Sequence, residues 1–243
     1  MLRPAFHPPD APTYPIYTAI RLNQPIYQYR PRRPSAIPDV ILALLIVNGL
    51  VFAGQMLTLV PGIGLSRIDL SFALWPPVEG AIRGWPQSLP EPGFALWQLV
   101  TYGFLHGNLT HIAMNMFILW MFGRDLEHLM GPRRFLTYYL VCVVGAGLVQ
   151  LLVANIQGGF YPTVGASGGV YGILLAYGMA YPNRELLLLI PPIPIKAKYF
   201  VILIGIFELT VGFSGRAPGI ANFAHVGGML FGFVLLQYWR RRR

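Results

Sequence analysis

The sequence predicts an all-α integral membrane protein, a bundle of six transmembrane helices. Three observations carry that expectation. Hydrophobic residues make up 55% of the 243-residue chain and charged residues 11%, against roughly 25% charged in ordinary soluble domains. Mean hydropathy is +0.54. The apolar residues are gathered into six stretches, three of them near the ~20 residues a helix needs to cross hydrocarbon and three shorter. A chain so poor in charge cannot clothe a water-facing surface, and one so apolar does not stay disordered. The net charge of +9 does not mark a nucleic-acid binder, because the arginines are dispersed or terminal rather than gathered on one face. The single cysteine, Cys142, excludes an intrachain disulfide and a cysteine-rich metal centre. It reads as an apolar packing residue of the third span.

Residues 1–38 are polar and Pro-rich and lack the apolar core of a cleavable signal peptide. They read as a flexible tail ahead of a membrane domain over 39–243. Span one, Val40–Val60, then acts as the insertion signal. The 62–96 loop carries Trp75 and Trp85 among prolines. It reads as short helices lying partly in the outer leaflet, since such aromatics favour the interface. Span two is Leu109–Phe122, with an apolar lead-in from Trp97, and span three is Phe135–Ile156. Span four, Ser167–Tyr181, is short and Gly-rich. Span five is Tyr199–Phe213 and span six is Ile220–Trp239. No internal repeat is visible, which argues against an inverted-repeat transporter, a class that would otherwise account for buried histidines.

Positive charge orients the bundle. Arg3, Arg21, Arg30, Arg32 and Arg33 precede span one. Arg124, Arg133 and Arg134 follow span two, Arg184, Lys196 and Lys198 follow span four, and Arg240, Arg241, Arg242 and Arg243 close the chain. Only Arg67, Arg83 and Arg216 fall on the other side. Both termini are therefore expected in the cytoplasm of an inner membrane, with loops 62–96 and 157–166 outside.

Polar groups within spans are few, and each is a functional candidate. They are His106, His111, Asn115, Ser167, Tyr171, Glu208, Asn222 and His225. Ser167 opens span four, where a serine ordinarily caps a helix. Here Gly165, Gly168 and Gly169 crowd it, and glycines let another backbone come close. The soluble-hydrolase elbow of this shape needs a preceding strand, which the sequence does not supply. His225 lies in span six on one face with Ala221, Gly228 and Gly232, and span four carries a matching stripe of Gly168, Gly172, Ala176 and Ala180. Two small-residue faces pack closely in a bilayer. Helical rise places Ser167 about 22 Å above Pro182 and His225 about 21 Å above Trp239, so the two share a depth. A serine beside a histidine is a nucleophile with its general base. His111 and Asn115, spaced i, i+4, share a face of span two at that depth, and both can donate to a developing oxyanion. A polar clasp between helices is the plainer reading of that pair.

The motifs His111-x-x-x-Asn115, Gly165-Ala166-Ser167-Gly168 and Ala224-His225-x-x-Gly228-x-x-x-Gly232 together resemble the signatures of rhomboid intramembrane serine proteases. They fall in spans two, four and six, and the resemblance covers about 40–240. Phe104-Leu105-His106, Gly123-x-x-x-Glu127-x-x-x-Gly131, Tyr171 and Asn222 agree as well. One departure stands out: Trp97-Gln98, where many bacterial members carry Trp-Arg. The resemblance implies a rhomboid-like six-helix bundle with a Ser167–His225 dyad and no catalytic carboxylate. It implies an oxyanion site of His111, Asn115 and the Ser167 amide, a Tyr171 ring stacked under His225, and supporting roles for Gly165 and Asn222. It implies transmembrane protein substrates, cut near the outer face by admitted water, with the lipid bilayer as the other partner and no cofactor. A non-enzymatic relative would lack the serine or the histidine, and this chain has both. Glu208, about 15 Å above Lys198, reads as a structural pairing near the outer end of span five. Glu127 reads as a tie to the cytoplasmic loop. His106 and His111 lack metal-ligand spacing, so no metal is expected.

Overall fold

The computed structural model describes residues 37–77, 85, 88–89, 91–158, 160–188, 192–214 and 221–242. Residues 1–38, read from the sequence as a tail, therefore lie outside the described residues except for Ile37 and Pro38, as do Arg83, Arg216 and Arg243. Among the described residues, six helices build the bundle: α1 (Asp39–Leu57), α4 (Leu109–Met130), α5 (Pro132–Gln157), α6 (Ser167–Ala180), α7 (Ala197–Ser214) and α8 (Asn222–Arg241). Two short helices, α2 (Arg67–Phe72) and α3 (Gln98–Thr101), lie between α1 and α4, and a 3-10 turn at Tyr102–Phe104 follows α3. Strands β1 (Glu185–Leu187) and β2 (Pro194–Lys196) pair antiparallel between α6 and α7. The chain is a helical membrane bundle. Helices α1, α5 and α7 are each long and apolar enough to cross a bilayer, and α6 is a shorter apolar helix.

A helix stands at the position of each expected span, with shifted ends. The largest shift is in α4, which runs eight residues past the expected Phe122. That last part carries Arg124, Asp125, Glu127 and His128, so hydropathy ends the span where helix geometry does not. Gly131 then stops it at φ +80°, a conformation that suits glycine. Pro132 opens α5 at a position where its missing N–H is no loss. The β1–β2 pair was not expected, because the proline-rich stretch around it hides any strand pattern. The outer loop also differs. Trp75 is not an interfacial anchor but fully buried, with Ala73 and Leu105, its indole N–H donating to the Asp69 carbonyl. Among the described residues of 62–96 there is one helix, α2, held by a reciprocal Ser66–Asp69 capping box.

Helix α6 is the axis of the bundle. Ten of its residues are buried, and it packs on α4, α5, α7 and α8. Its small residues allow this. A Cβ on Gly172 would stand 2.3 Å from Cys142 Sγ on α5, and a Cβ on Gly228 of α8 would stand 1.9 Å from the Gly168 carbonyl oxygen. Cys142 is thus the buried packing group expected. The second stripe does less than expected for α6: Gly232 faces Tyr138 of α5 instead. Outward faces are apolar, with Leu50, Leu57, Leu203 and Phe213 exposed, as a lipid-facing surface requires. Glu127 differs from its expected tie. Its carboxylate accepts from the Val40 and Ile41 N–H groups at 3.1 and 2.9 Å, capping the start of α1, where the helix dipole favours an anion.

Candidate active site

Ser167 is the first residue of α6, and it does not cap the helix. Its Oγ lies 2.9 Å from His225 Nε2. The segment before it is held extended. Thr163 and Leu74 form a β-bridge, exchanging N–H to carbonyl bonds of 3.0 and 2.9 Å. The Gly165 N–H donates to the Tyr102 carbonyl at 2.9 Å, and the Tyr102 hydroxyl donates to the Val143 carbonyl of α5 at 2.6 Å. A single bridge and a pinned turn thus do the work of the strand that the sequence does not show. As the first residue of a helix, Ser167 also presents an N–H with no intrahelical partner.

His225 comes from the first turn of α8, three residues before Gly228. Close approach of α8 to α6 at Gly168 and Gly228 brings its ring to the serine. Tyr171, one turn along α6 from Ser167, lies parallel under the imidazole, with ring centroids 4.2 Å apart and 4° between planes. The far side of His225 meets an acid. Glu208 Oε2 lies 3.0 Å from His225 Nδ1, off the axis along which that N–H would point. The same oxygen accepts from Asn222 Nδ2 at 2.6 Å, and the other oxygen accepts from the Tyr171 hydroxyl. Asn222 therefore stands behind the histidine, on the carboxylate.

His111 and Asn115 face the serine from α4. The Asn108 side chain caps α4, accepting from the His111 N–H at 2.8 Å. His111 Nδ1 accepts from the Gly107 N–H at 3.4 Å, which leaves the proton on Nε2. That Nε2 points to the region over Gly165: a Cβ there would stand 2.9 Å from it and 3.4 Å from Ser167 Oγ. Gly165 sits at φ +135°, so both its backbone and its surroundings exclude a side chain. Asn115 Nδ2 donates to the His111 carbonyl at 2.9 Å and keeps a second N–H. His111, Asn115, Ser167, Tyr171 and His225 all line one cavity of about 780 Å³, walled further by Met114 and Val164. His106 is buried beside it, its ring edge-on to His111 at 5.1 Å.

The model of the Rhomboid domain matches residues 93–242, more than half of the chain and a span that includes His106, His111, Asn115, Gly165, Ser167, Tyr171, Glu208, Asn222 and His225. The chain belongs to the rhomboid family. It is 32% identical over 139 residues to Rhomboid protease GluP of Bacillus subtilis (strain 168), covering 56% of this chain and 25% of that one. It is 34% identical over 141 residues to RHOMBOID-like protein 4 of Arabidopsis thaliana, 57% of this chain and 33% of the other. It is 26% identical over 180 residues to the mitochondrial presenilin-associated rhomboid-like protein of Mus musculus, 71% and 48%. The matched part is thus less than half of each relative's length.

For two residues that the sequence singled out, Gln98 and Glu208, the structure shows partners that the sequence did not. Gln98, where many bacterial members carry an arginine, is a junction of the outer loop. Its Oε1 accepts from the Trp75 and Ala95 N–H groups and its Nε2 donates to the Ser71 and Gly93 carbonyls. An arginine has no acceptor to offer the first pair. Glu208 reads in the sequence as a structural pairing near the outer end of span five, and in the structure it lies against His225 Nδ1. The available signal was a lone acid in an otherwise apolar span.

Proposed function

We propose that the chain is an intramembrane serine endopeptidase acting on transmembrane segments of single-span proteins. The observation that carries this is the 2.9 Å contact of Ser167 Oγ with His225 Nε2 at the wall of a cavity large enough for an extended peptide. Ser167 Oγ attacks the scissile carbonyl carbon while His225 Nε2 takes its proton. The resulting oxyanion sits among the Ser167 amide, His111 Nε2–H and the free Asn115 N–H. His225 then passes the proton to the leaving nitrogen as the C–N bond breaks. Water hydrolyses the acyl-enzyme by the same route in reverse. Gly165 leaves the space a substrate backbone needs. Tyr171 holds the imidazole plane.

Helix α6 has 14 residues, about 21 Å of rise, so it falls about 9 Å short of a ~30 Å hydrocarbon core. The excess of basic residues in the sequence segments before span one, after spans two and four and at the chain's end supports a serine below the outer surface of a cell inner membrane, with both termini cytoplasmic. The membrane domain is 39–243 and the preceding residues are a tail. A substrate helix must unwind to offer its amide, so cleavage favours helix-breaking residues near the outer face and a small residue before the cut.

The test is incubation of purified protein with a single-span substrate in proteoliposomes. Ser167→Ala and His225→Ala should each abolish cleavage, and the double variant should be no worse, because the pair acts as a unit. A fluorophosphonate should label wild type at Ser167 and neither variant. Wild-type cleavage by folded Ser167→Ala would sink the proposal.

A further inference from the structure

We propose that Glu208 is a positioning residue of the catalytic unit, so that Ser167, His225 and Glu208 work as a Ser–His–Glu triad in this chain. The inference rests on the serine-protease reading above and adds a carboxylate to it. The contact is a built one. Glu208 lies on α7, a helix whose buried residues are Ala197, Val201 and Glu208 alone. Its side chain is 5% exposed and that of His225 12%. A buried carboxylate has to find donors, and this one has them from two other helices. Tyr171 on α6 gives a hydroxyl, Asn222 on α8 gives an amide at 2.6 Å, and His225 Nδ1 lies at 3.0 Å. Two of those three groups already belong to the site: Tyr171 is the ring stacked under His225, and His225 is the base.

The arrangement supplies what a serine–histidine pair lacks alone. When Nε2 takes the Ser167 proton the ring becomes a cation, and an anion 3.0 Å from Nδ1 stabilises it where water cannot. Before that step the carboxylate favours the tautomer with the proton on Nδ1, leaving Nε2 free to accept from the serine. The bent approach at Nδ1 makes this a charge contact more than an in-line hydrogen bond. The other groups facing the ring are Tyr171 from α6 and His111 from α4, neither of them an anion at neutral pH.

Three measurements test it. The first needs neither activity nor a variant of Glu208: ¹⁵N-histidine NMR of wild type, with His225→Ala identifying the signal. The expected state at neutral pH is Nδ1–H with Nε2 unprotonated; an Nε2–H tautomer would overturn the triad. In the second, folded Glu208→Gln should lose about 10- to 100-fold in kcat with KM unchanged. That is less than the ~10⁴-fold seen when a soluble triad loses its acid, because Tyr171 still stacks on the ring. The third is Glu208→Asp, which should recover a measurable part of that kcat. Wild-type kcat in Glu208→Gln, or equal losses in Glu208→Gln and Glu208→Asp that track melting temperature, would make the residue a structural tie and nothing more. If Glu208→Gln does not fold, the wild-type tautomer decides. The serine-protease reading is judged separately, by Ser167→Ala: if that folded variant still cleaves, the fault lies there and not with Glu208.

Discussion

Alanine at Gly228 tests whether the α6–α8 contact is what assembles the site. The added Cβ would lie 1.9 Å from the Gly168 carbonyl oxygen and 2.7 Å from its carbon. A comfortable carbon–oxygen approach is about 3.3 Å, so the helices must part by about 1.4 Å along that line. Both blocking atoms are backbone, and no rotamer change relieves the clash. His225 lies one turn before Gly228 and Ser167 is next to Gly168, so the displacement acts directly on the 2.9 Å contact between them. It opens that contact to about 4 Å, past hydrogen-bond reach. A misplacement of about 1 Å at a reacting pair costs roughly 10²-fold in rate, and overpacking of this kind destabilises by about 1–3 kcal/mol. The assay is kcat for a single-span substrate in proteoliposomes, beside a melting curve in detergent. Gly49→Ala is the control: its Cβ meets nothing within 4 Å, and kcat should not change. A folded Gly228→Ala enzyme within a few-fold of wild-type kcat would refute the argument that helix approach sets the catalytic distance.

Asn115→Ala should lower kcat and leave KM near wild type, by no more than the lower end of the ~2.7–4 kcal/mol typical of a lost oxyanion donor, because His111 and the Ser167 amide remain; a single-turnover rate measures it. Glu127→Gln removes a charge-assisted cap whose bonds are worth about 1.5–3 kcal/mol each; unfolding in detergent should show the loss, while kcat stays unchanged because the residue sits at the far end of α4 from His111. A cysteine at Ser88 should react with an impermeant reagent from outside the cell, and labelling from the cytoplasm alone would reverse the proposed orientation.

How much of this was legible in the sequence depends on the range of the interaction. The six spans were readable because a membrane helix is specified by its own composition over some 20 residues. His111 and Asn115, four apart, had to share a helix face. The pairing of Ser167 with His225 was reachable because two small-residue faces and two helix depths converge on one place. Three features were out of reach for a shared reason. Gln98 was judged by what it replaced, yet its role is set by four backbone groups at 71, 75, 93 and 95, and backbone groups leave no trace in sequence. Trp75 looked interfacial by residue type and is core because α2 and the Thr163 bridge fold over it. Glu208 could be given a height on its helix, about 15 Å above Lys198, but height does not fix the rotation of a helix about its axis. Helix α7 could have turned that acid toward lipid at equal height. What turns it inward is the pair of donors on α6 and α8, Tyr171 and Asn222. Both were singled out in the sequence for agreeing with the family pattern, while the carboxylate that joins them was set aside for standing outside it. A buried acid and its donors are one unit, and the acid of such a unit is recognised through the donors that surround it.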